Sequence, residues 1–156
     1  MSQLDRYDRI LLRTLQENGR ASNVELSEQA SLSPPQCYRR VQRLEQDGII
    51  RGYAAQVAPA AIGLGVVAFV NLNIDREQFK HVRALEQAIR QFPEILECYT
   101  ISGDFDYLLK VVAADLKSLS NFLTDRLMQV PGVSGVRSMV CLEEIKPPSP
   151  LPLAGA

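Results

Sequence analysis

The amino-acid sequence predicts an α+β protein with a helical N-terminal part and a C-terminal part of four strands and two helices. Apolar residues recur at helical spacing over the first 47 positions, and four strand-like runs interrupted by two helical runs follow from residue 66. The 156 residues, 46% hydrophobic and 22% charged, suit one large or two small globular domains. No apolar run of about 18 residues and no signal-peptide core occurs, so we expect a cytoplasmic protein without membrane contact.

The first predicted helix runs from about residue 5 to 18. Asp5 and Asp8 place carboxylates near its N-terminus, where the helix dipole favours negative charge. Gly19 ends it, because glycine tolerates the left-handed cap conformation. The apolar residues at helical spacing are Leu4, Tyr7, Ile10, Leu11 and Leu15.

Two further helix starts carry cap signals. Ser22 and Glu25 form a capping-box pattern for a second helix of about eight residues. For the third helix, Ser33 is a cap, Pro34 occupies the first helical position and Gln36 the return position of the box. We expect this third helix to reach about Asp47, with Gly48 as its stop. The candidate buried residues of the second helix are Val24, Leu26 and Ala30.

The third helix has an apolar and a basic side. Cys37, Val41 and Leu44 fall within about 60° of one another and form the expected buried stripe. The opposite side carries Gln36, Arg39 and Arg43, with Arg40 flanking them. A short helix, a tight turn and a longer helix of this kind predict a helix-turn-helix whose second helix enters the DNA major groove, where arginine pairs with guanine and glutamine with adenine. The helix alone leaves open that its arginines only solvate an exposed face.

The segments beside these helices predict the domain boundaries. Residues 48–53 suggest a short strand or wing, in which Arg51 contacts a phosphate or is merely solvated. Residues 54–65 contain Pro, two Gly and no charge, which indicates a hinge between an N-terminal domain of residues 1–53 and a C-terminal domain of residues 66–145. The tail, residues 146–156, carries four Pro and is expected to be extended.

The C-terminal domain has the order βαββαβ. The predicted strands are 66–74, 94–102, 105–113 and 136–145; the first helix carries Phe79, Val82, Leu85, Ile89 and Phe92 before Pro93, and the second carries Leu116, Leu119, Leu123 and Leu127. This order predicts a ferredoxin-like antiparallel sheet with both helices on one face. No segment remains to cover the other face, so we expect dimerisation through the sheets.

A turn between two apolar strands, residues 102–109, carries Gly103, Asp104 and Asp106. Exposed backbone N–H groups in such a turn can hold a carboxylate, and an aspartate can accept from an α-ammonium group. The pattern therefore suits a zwitterion. The alternative is that glycine and aspartate are simply good hairpin residues.

Three segments together resemble the Lrp/AsnC (feast/famine) transcription regulators: LDRYDRILLRTLQENGR (4–20), NVELSEQASLSPPQCYRRVQRLEQDGII (23–50) and GDFDYLLKV (103–111). The resemblance implies an N-terminal DNA-binding helix-turn-helix and a C-terminal domain that dimerises, assembles further, often to octamers (tetramers of dimers), and binds a small amino acid between dimers. It also favours leucine or another aliphatic amino acid.

Residue spacing and resemblance together give two candidate sites. The side chains expected at double-stranded DNA are Ser33, Pro35, Gln36, Tyr38, Arg39, Arg40, Arg43 and Arg51. Those expected around the amino acid are Tyr99, Ser102, Gly103, Asp104, Phe105 and Asp106, with Val133, Ser134 and Val136 in the turn 131–136 of another subunit as the far wall.

An enzyme is not expected. The single histidine, His81, is expected on the polar side of its helix, and no phosphate loop, zinc spacing, cofactor motif or nucleophile elbow occurs. Cys37, Cys98 and Cys141 show no metal or disulfide spacing and are expected to be buried thiols. The sequence therefore predicts an amino-acid-responsive, sequence-specific transcription regulator. The alternative is a nucleoid-associated architectural protein that wraps DNA with little effector control.

Overall fold

The chain folds into two compact units. The computed structural model describes residues 4–75 and 82–153, so the predicted positions of Phe79 and His81 lie outside the described residues. One unit extends to Gln56 and also takes in the tail from Lys146, and the other is Val57–Ile145. We refer to them as the N-terminal and C-terminal units. No helix in the described part of the chain is long and apolar enough to cross a membrane.

Three helices form the N-terminal unit, as predicted: α1 (Arg6–Glu17), α2 (Asn23–Ala30) and α3 (Pro34–Gln46). The capping box of α2 is reciprocal, since Ser22 N–H donates to Glu25 Oε2 at 2.6 Å and Glu25 N–H donates to Ser22 Oγ at 3.2 Å. Local cap chemistry therefore sets where this helix starts. The core of the unit includes Leu11, Leu26, Ala30 and Cys37.

Val24 is not buried, contrary to expectation, and is 57% exposed. The buried side of α2 is formed by Leu26, Ser27 and Ala30. At about 100° per residue, Val24 lies about 110° from the middle of that side, which explains its exposure.

The segment after α3 contains no strand, so of the two alternatives predicted for residues 48–53, a short strand or a wing, the strand is wrong. The N–H groups of Ile49 and Ile50 instead donate to the Leu44 carbonyl at 2.9 and 3.0 Å, beyond Gly48 in its left-handed conformation (φ 70°). A strand needs a neighbouring strand for its backbone hydrogen bonds, and the described residues of the N-terminal unit offer none. The hinge region contains a short 3₁₀ helix, Pro59–Ile62.

The tail contacts α1 through one side chain. Leu151 N–H donates to Gln16 Oε1 at 2.6 Å, and Gln16 Nε2 donates to the Leu151 carbonyl at 3.2 Å. Residues 146–153 contain neither helix nor strand. The glutamine amide thus occupies both hydrogen-bonding groups of one extended residue.

The C-terminal unit has the predicted ferredoxin-like topology. Its elements are β1 (Val66–Ile74), α4 (Val82–Gln91), β2 (Ile95–Thr100), β3 (Tyr107–Ala113), α5 (Leu116–Asp125), a 3₁₀ turn (Leu127–Gln129) and β4 (Val133–Val140). The sheet order is β2-β3-β1-β4, and the neighbouring strands are antiparallel.

One face of the sheet is buried by both helices, and the other is open. Ala68, Val70 and Leu72 of β1 are fully buried in a cluster that includes residues from α4 and α5, namely Leu85, Ile89, Leu119 and Phe122. The alternate residues of the sheet face outward, where Phe69 lies opposite Lys110 on one side and Met139 on the other. Phe69 remains 38% exposed and Met139 46% exposed. We call this surface the outer sheet face.

The last strand begins earlier and ends earlier than predicted. Val133 already pairs with Ile74, and the final ladder contact is Cys141 N–H to the Val67 carbonyl at 2.8 Å. Beyond it only Val66 of β1 remains, and Leu142 is 97% exposed. Residues 133–136 therefore belong to a strand, and the predicted turn 131–136 is reduced to Pro131 and Gly132.

The cysteines differ in burial. Cys37 is fully buried, and desolvation raises the pKa of its thiol. Cys141 is half-buried, whereas Cys98 is exposed, contrary to expectation. Cys98 lies on β2, an edge strand, five of whose six residues are exposed.

Candidate DNA interface and ligand site

Helix α3 is anchored by its inner side. Of the predicted stripe, Cys37 and Leu44 are 0% exposed, and Val41 is half-buried against the core of the unit. At the start of the helix, Gln36 Oε1 accepts hydrogen bonds from the Ser33 backbone N–H (3.0 Å) and hydroxyl (2.9 Å). The Gln36 side chain is therefore turned back onto the cap, as the capping pattern predicted, rather than extended from the helix.

A buried carboxylate on α1 holds two of the candidate arginines. Asp8 is 1% exposed, and its two oxygens lie 2.8 Å from Arg40 Nη1 and 2.6 Å from Arg43 Nη2. Asp5 adds a contact of 2.7 Å to Arg40 Nη1. Asp5 and Asp8 also cap α1 reciprocally through their backbone N–H groups at 3.1 and 2.9 Å. Asp5 and Asp8 thus cap α1 and also form ion pairs with two arginines of the neighbouring helix α3.

The electrostatics of this cluster favour the charged forms of Asp5 and Arg40. The hydrogen bond with Asp5 is the main cause of a raised pKa for Arg40, and burial opposes it. Burial tends to raise the pKa of Asp5, but hydrogen bonds from the Asp8 N–H and Arg40 outweigh it, so the pKa is lowered. The Arg40 guanidinium also lies 5.3 Å from the centre of the Tyr7 ring, within the range of a cation–π contact.

The other predicted DNA-contacting residues take no part in the ion pairs of Asp5 and Asp8. Pro35, Tyr38 and Arg39 are exposed on α3, and Tyr38 Oη accepts a hydrogen bond of 2.7 Å from Gln42 Nε2. Arg51 is exposed in the irregular segment after the helix, and Ser33 is exposed at its cap. Our sequence reasoning missed Gln42, although its spacing of three residues from Arg39 and seven from Pro35 already placed it on the same face.

The candidate ligand turn connects β2 to β3. Ile101 N–H donates to the Asp106 carbonyl at 3.0 Å and closes the turn, and Gly103 has φ 125°, a conformation that favours glycine. Ser102, Gly103 and Asp104 are exposed and Phe105 is half-buried. Within residues 4–75 and 82–153, no acceptor receives a hydrogen bond from the backbone N–H groups of residues 102–105.

The two aspartates of the turn differ in their hydrogen bonds and in their position. Asp106 Oδ2 accepts from the Ile74 N–H at 2.8 Å, and the Asp106 N–H donates to the Leu72 carbonyl at 3.1 Å. Asp106 therefore ties the turn to the end of β1, beside the register shift between Asn73 and Ile74. Asp104 lies at the exposed tip of the turn.

The turn and the start of β4 lie at the same end of the sheet. Leu72 of β1 pairs with Tyr107 at the start of β3 and with Val136 of β4. Val133 and Val136 are half-buried and Ser134 is exposed. The two sides of the predicted ligand site, the β2–β3 turn and the start of β4, thus lie on either side of the end of β1 within one chain. Tyr99 lies on the outer sheet face opposite Leu108 and donates a hydrogen bond of 2.8 Å to Glu97, which lowers the pKa of that carboxyl.

Comparison with known proteins identifies both halves of the chain. Residues 4–51 match the winged helix-turn-helix DNA-binding family, and residues 67–151 match the Lrp/AsnC ligand binding domain. The leucine-responsive regulatory protein of Escherichia coli K12 is 41% identical over 143 residues, which cover 92% of this chain and 87% of that protein.

Solved structures agree over nearly the full length. A transcriptional regulator from Neisseria meningitidis in complex with L-methionine superposes with a TM-score of 0.93 at 40% identity, covering 97% of this chain and 98% of that one. An AsnC family regulator from Agrobacterium tumefaciens gives a TM-score of 0.88 at 34% identity, covering 96% and 97%. The chain therefore belongs to the Lrp/AsnC family of DNA-binding transcription regulators.

Proposed function

We propose that this regulator senses a small amino acid at the β2–β3 turn and that the bound amino acid changes its affinity for specific DNA sites. The observation that carries the proposal is the run of backbone N–H groups from Ser102 to Phe105 without a protein acceptor in the described residues, beside the exposed carboxylate of Asp104. N–H groups suit a ligand carboxylate, and an aspartate suits an α-ammonium group.

The surroundings favour an aliphatic side chain on the ligand. Phe105 is half-buried at the same end of the sheet as the turn, and Val133 and Val136, which pack against the core of the C-terminal unit, also lie there. The Neisseria meningitidis relative was solved with L-methionine, which carries an apolar side chain. We therefore propose leucine, methionine or another aliphatic amino acid as the effector.

The outer sheet face supports assembly as a dimer. Its apolar residues include Phe69 and Met139, which lie adjacent on paired strands and are both substantially exposed. A second copy of the same face would cover them. Two copies would also present two α3 helices to half-sites about 34 Å apart or at multiples of that spacing. We propose a dimer that assembles further, as a tetramer of dimers, in the cytoplasm.

The proposed mechanism is a shift between two assembly geometries. An amino acid that binds one geometry more tightly than the other changes their populations, and with them the spacing of the α3 helices on DNA. The architectural alternative lacks this step. It predicts that DNA affinity is the same with and without every amino acid.

The first experiment screens the twenty amino acids by thermal shift and then measures DNA affinity with and without those that stabilise the protein. A ligand at a hundredfold excess over its dissociation constant stabilises the folded state by about 2.7 kcal/mol. We expect Asp104→Ala to abolish the thermal shift and the change in DNA affinity while the assembly state is retained.

Glu144→Ala is the matched control, because Glu144 is also an exposed acid of the C-terminal unit but lies away from the turn in sequence. Its thermal shift should equal that of the wild type. A shift that survives Asp104→Ala would place the amino acid elsewhere, and DNA affinity independent of every amino acid would favour the architectural alternative.

A further inference from the structure

We propose that base reading by α3 is confined to a stripe formed by Pro35, Tyr38, Arg39 and Gln42, and that Asp8 is a positioning residue that withholds Arg40 and Arg43 from the bases. This inference rests on the proposed sequence-specific function and assigns it to particular side chains. It also changes the DNA-contacting set that the sequence alone predicts.

The geometry of the helix defines the stripe. At about 100° per residue, its four residues span about 100° of the helix surface, and the middle of the stripe faces away from Cys37 and Leu44. All four are exposed, and Tyr38 is 50% exposed. The face predicted from the arginine spacing is turned from the middle of this stripe by about 80° toward α1.

The Asp8 contacts explain that rotation. Both Asp8 oxygens are used, one by Arg40 at 2.8 Å and the other by Arg43 at 2.6 Å and by the Asp5 N–H at 3.1 Å. Asp8 is almost fully buried. Moving either arginine to a base would leave a buried carboxylate with part of its charge uncompensated, a cost that is high compared with the gain from a solvent-exposed ionic contact.

Arg39 is the remaining guanidinium on the exposed side. Among the described residues, it has no carboxylate within ion-pair distance, in contrast to Arg40 and Arg43. Its planar fork can bond guanine O6 and N7. We therefore assign to Arg39 the main hydrogen-bonded base contact of the helix.

The neighbours of Arg39 add a polar and an apolar element. Gln42 donates one N–H to Tyr38 Oη at 2.7 Å, which fixes the direction of its amide and leaves the other N–H and the carbonyl oxygen for an adenine. Pro35 offers an apolar surface that suits a thymine methyl group. The stripe thus suits a short recognition element containing guanine with A·T pairs beside it.

The decisive test compares Arg39→Gln with Arg43→Gln, which make the same substitution on the same helix. Preferred sites are selected from randomised duplexes with the full-length wild type and each variant, and affinities for preferred and random DNA are then measured. Arg39→Gln should change the preferred base at one position of each half-site and lower the ratio of specific to random affinity by about 5- to 150-fold. Arg43→Gln should keep the wild-type base preferences.

Asp8→Asn tests the positioning role directly. Release of Arg43, and the loss of one of the two carboxylates that hold Arg40, should raise the affinity for random DNA. The log–log slope of its salt dependence should steepen by about 1 to 2 per copy, because each new phosphate contact adds about 0.9. Glu28→Gln is the control, since it removes an equal charge from an exposed position of the same unit. If Asp8→Asn only disturbed the fold of the N-terminal unit, binding to preferred and random DNA would both become weaker.

These outcomes separate the inference from the proposed function. Altered base preferences in Arg43→Gln with none in Arg39→Gln would overturn the stripe, even if Asp8→Asn does not fold. An unchanged salt slope in folded Asp8→Asn would overturn the positioning role. A wild type that shows no preference among duplexes would overturn sequence-specific recognition itself, and the inference with it.

Discussion

At the scale of single residues, Asp5 and Asp8 show how one pair of side chains serves two levels of structure. Their position near a helix N-terminus follows from the sequence, because the helix dipole favours acids there. Their partners do not follow, because Arg40 and Arg43 lie on another helix and become neighbours of Asp8 only when α3 packs against α1. Spacing along α3 therefore predicted which residues form its polar side. It did not predict which of its arginines pair with the acids of α1.

Asp5 gives the N-terminal unit a pH dependence with a defined sign. Its pKa is lowered in the folded state, so its contribution is present above its unfolded pKa of about 4 and is lost as the pH falls through the folded value. We expect Asp5→Ala to lower the free energy of unfolding by about 1 kcal/mol at pH 7, as for the loss of an N-cap, and the difference from wild type to shrink below pH 4. Denaturant unfolding followed by circular dichroism at pH 7 and pH 3 measures this.

Asp5→Asn serves as the control, because asparagine caps a helix about as well but does not titrate. It should lose less stability than Asp5→Ala at pH 7. An equal difference between wild type and Asp5→Ala at both pH values would contradict the lowered pKa.

At the scale of elements, helices were predicted more accurately than strand ends. The start signals of α2 and α3 are local, and Ser22 with Glu25 and Ser33 with Gln36 are bonded to each other in the folded chain. The start of β4 depends on a distant segment, because Val133 pairs with Ile74, the last residue of β1. A strand end is thus a property of two segments, and neither sequence alone determines it.

The two aspartates of the β2–β3 turn should differ in how much they contribute to the stability of the fold. Asp106→Ala leaves the Ile74 N–H without its acceptor, so we expect the free energy of unfolding to fall by about 1–3 kcal/mol. Asp104→Ala removes an exposed side chain and should change it by no more than about 0.5 kcal/mol. Urea unfolding of both variants checks the contrast, and similar losses would show that Asp104 also supports the turn.

At the scale of the whole molecule, the described residues of one chain leave one surface of the sheet uncovered. The sequence already predicted this need, because no segment remained after the βαββαβ order was assigned. Phe69 lies in β1, a central strand, and is exposed between Lys110 and Met139. The proposed dimer therefore depends on an apolar centre at this position.

Phe69→Arg places a charge in that centre and should weaken the dimer by at least about thirtyfold in dissociation constant. Sedimentation velocity over a concentration series measures the change. Leu116→Arg is the control, because Leu116 is 62% exposed but lies on α5, away from the outer sheet face. A Phe69→Arg protein that dimerises like the wild type would move the interface to another surface.

The Asp8 ion pairs finally bear on how firmly one copy can hold DNA. Two of the three arginines in the middle of α3 already pair with the buried carboxylate of Asp8, and the chain as a whole has a formal net charge of −1. Attraction to the duplex is therefore modest for a lone copy, and tight occupancy has to come from avidity, in which one anchored copy raises the effective concentration of the next. Occupancy should then rise steeply with the cellular abundance of the regulator.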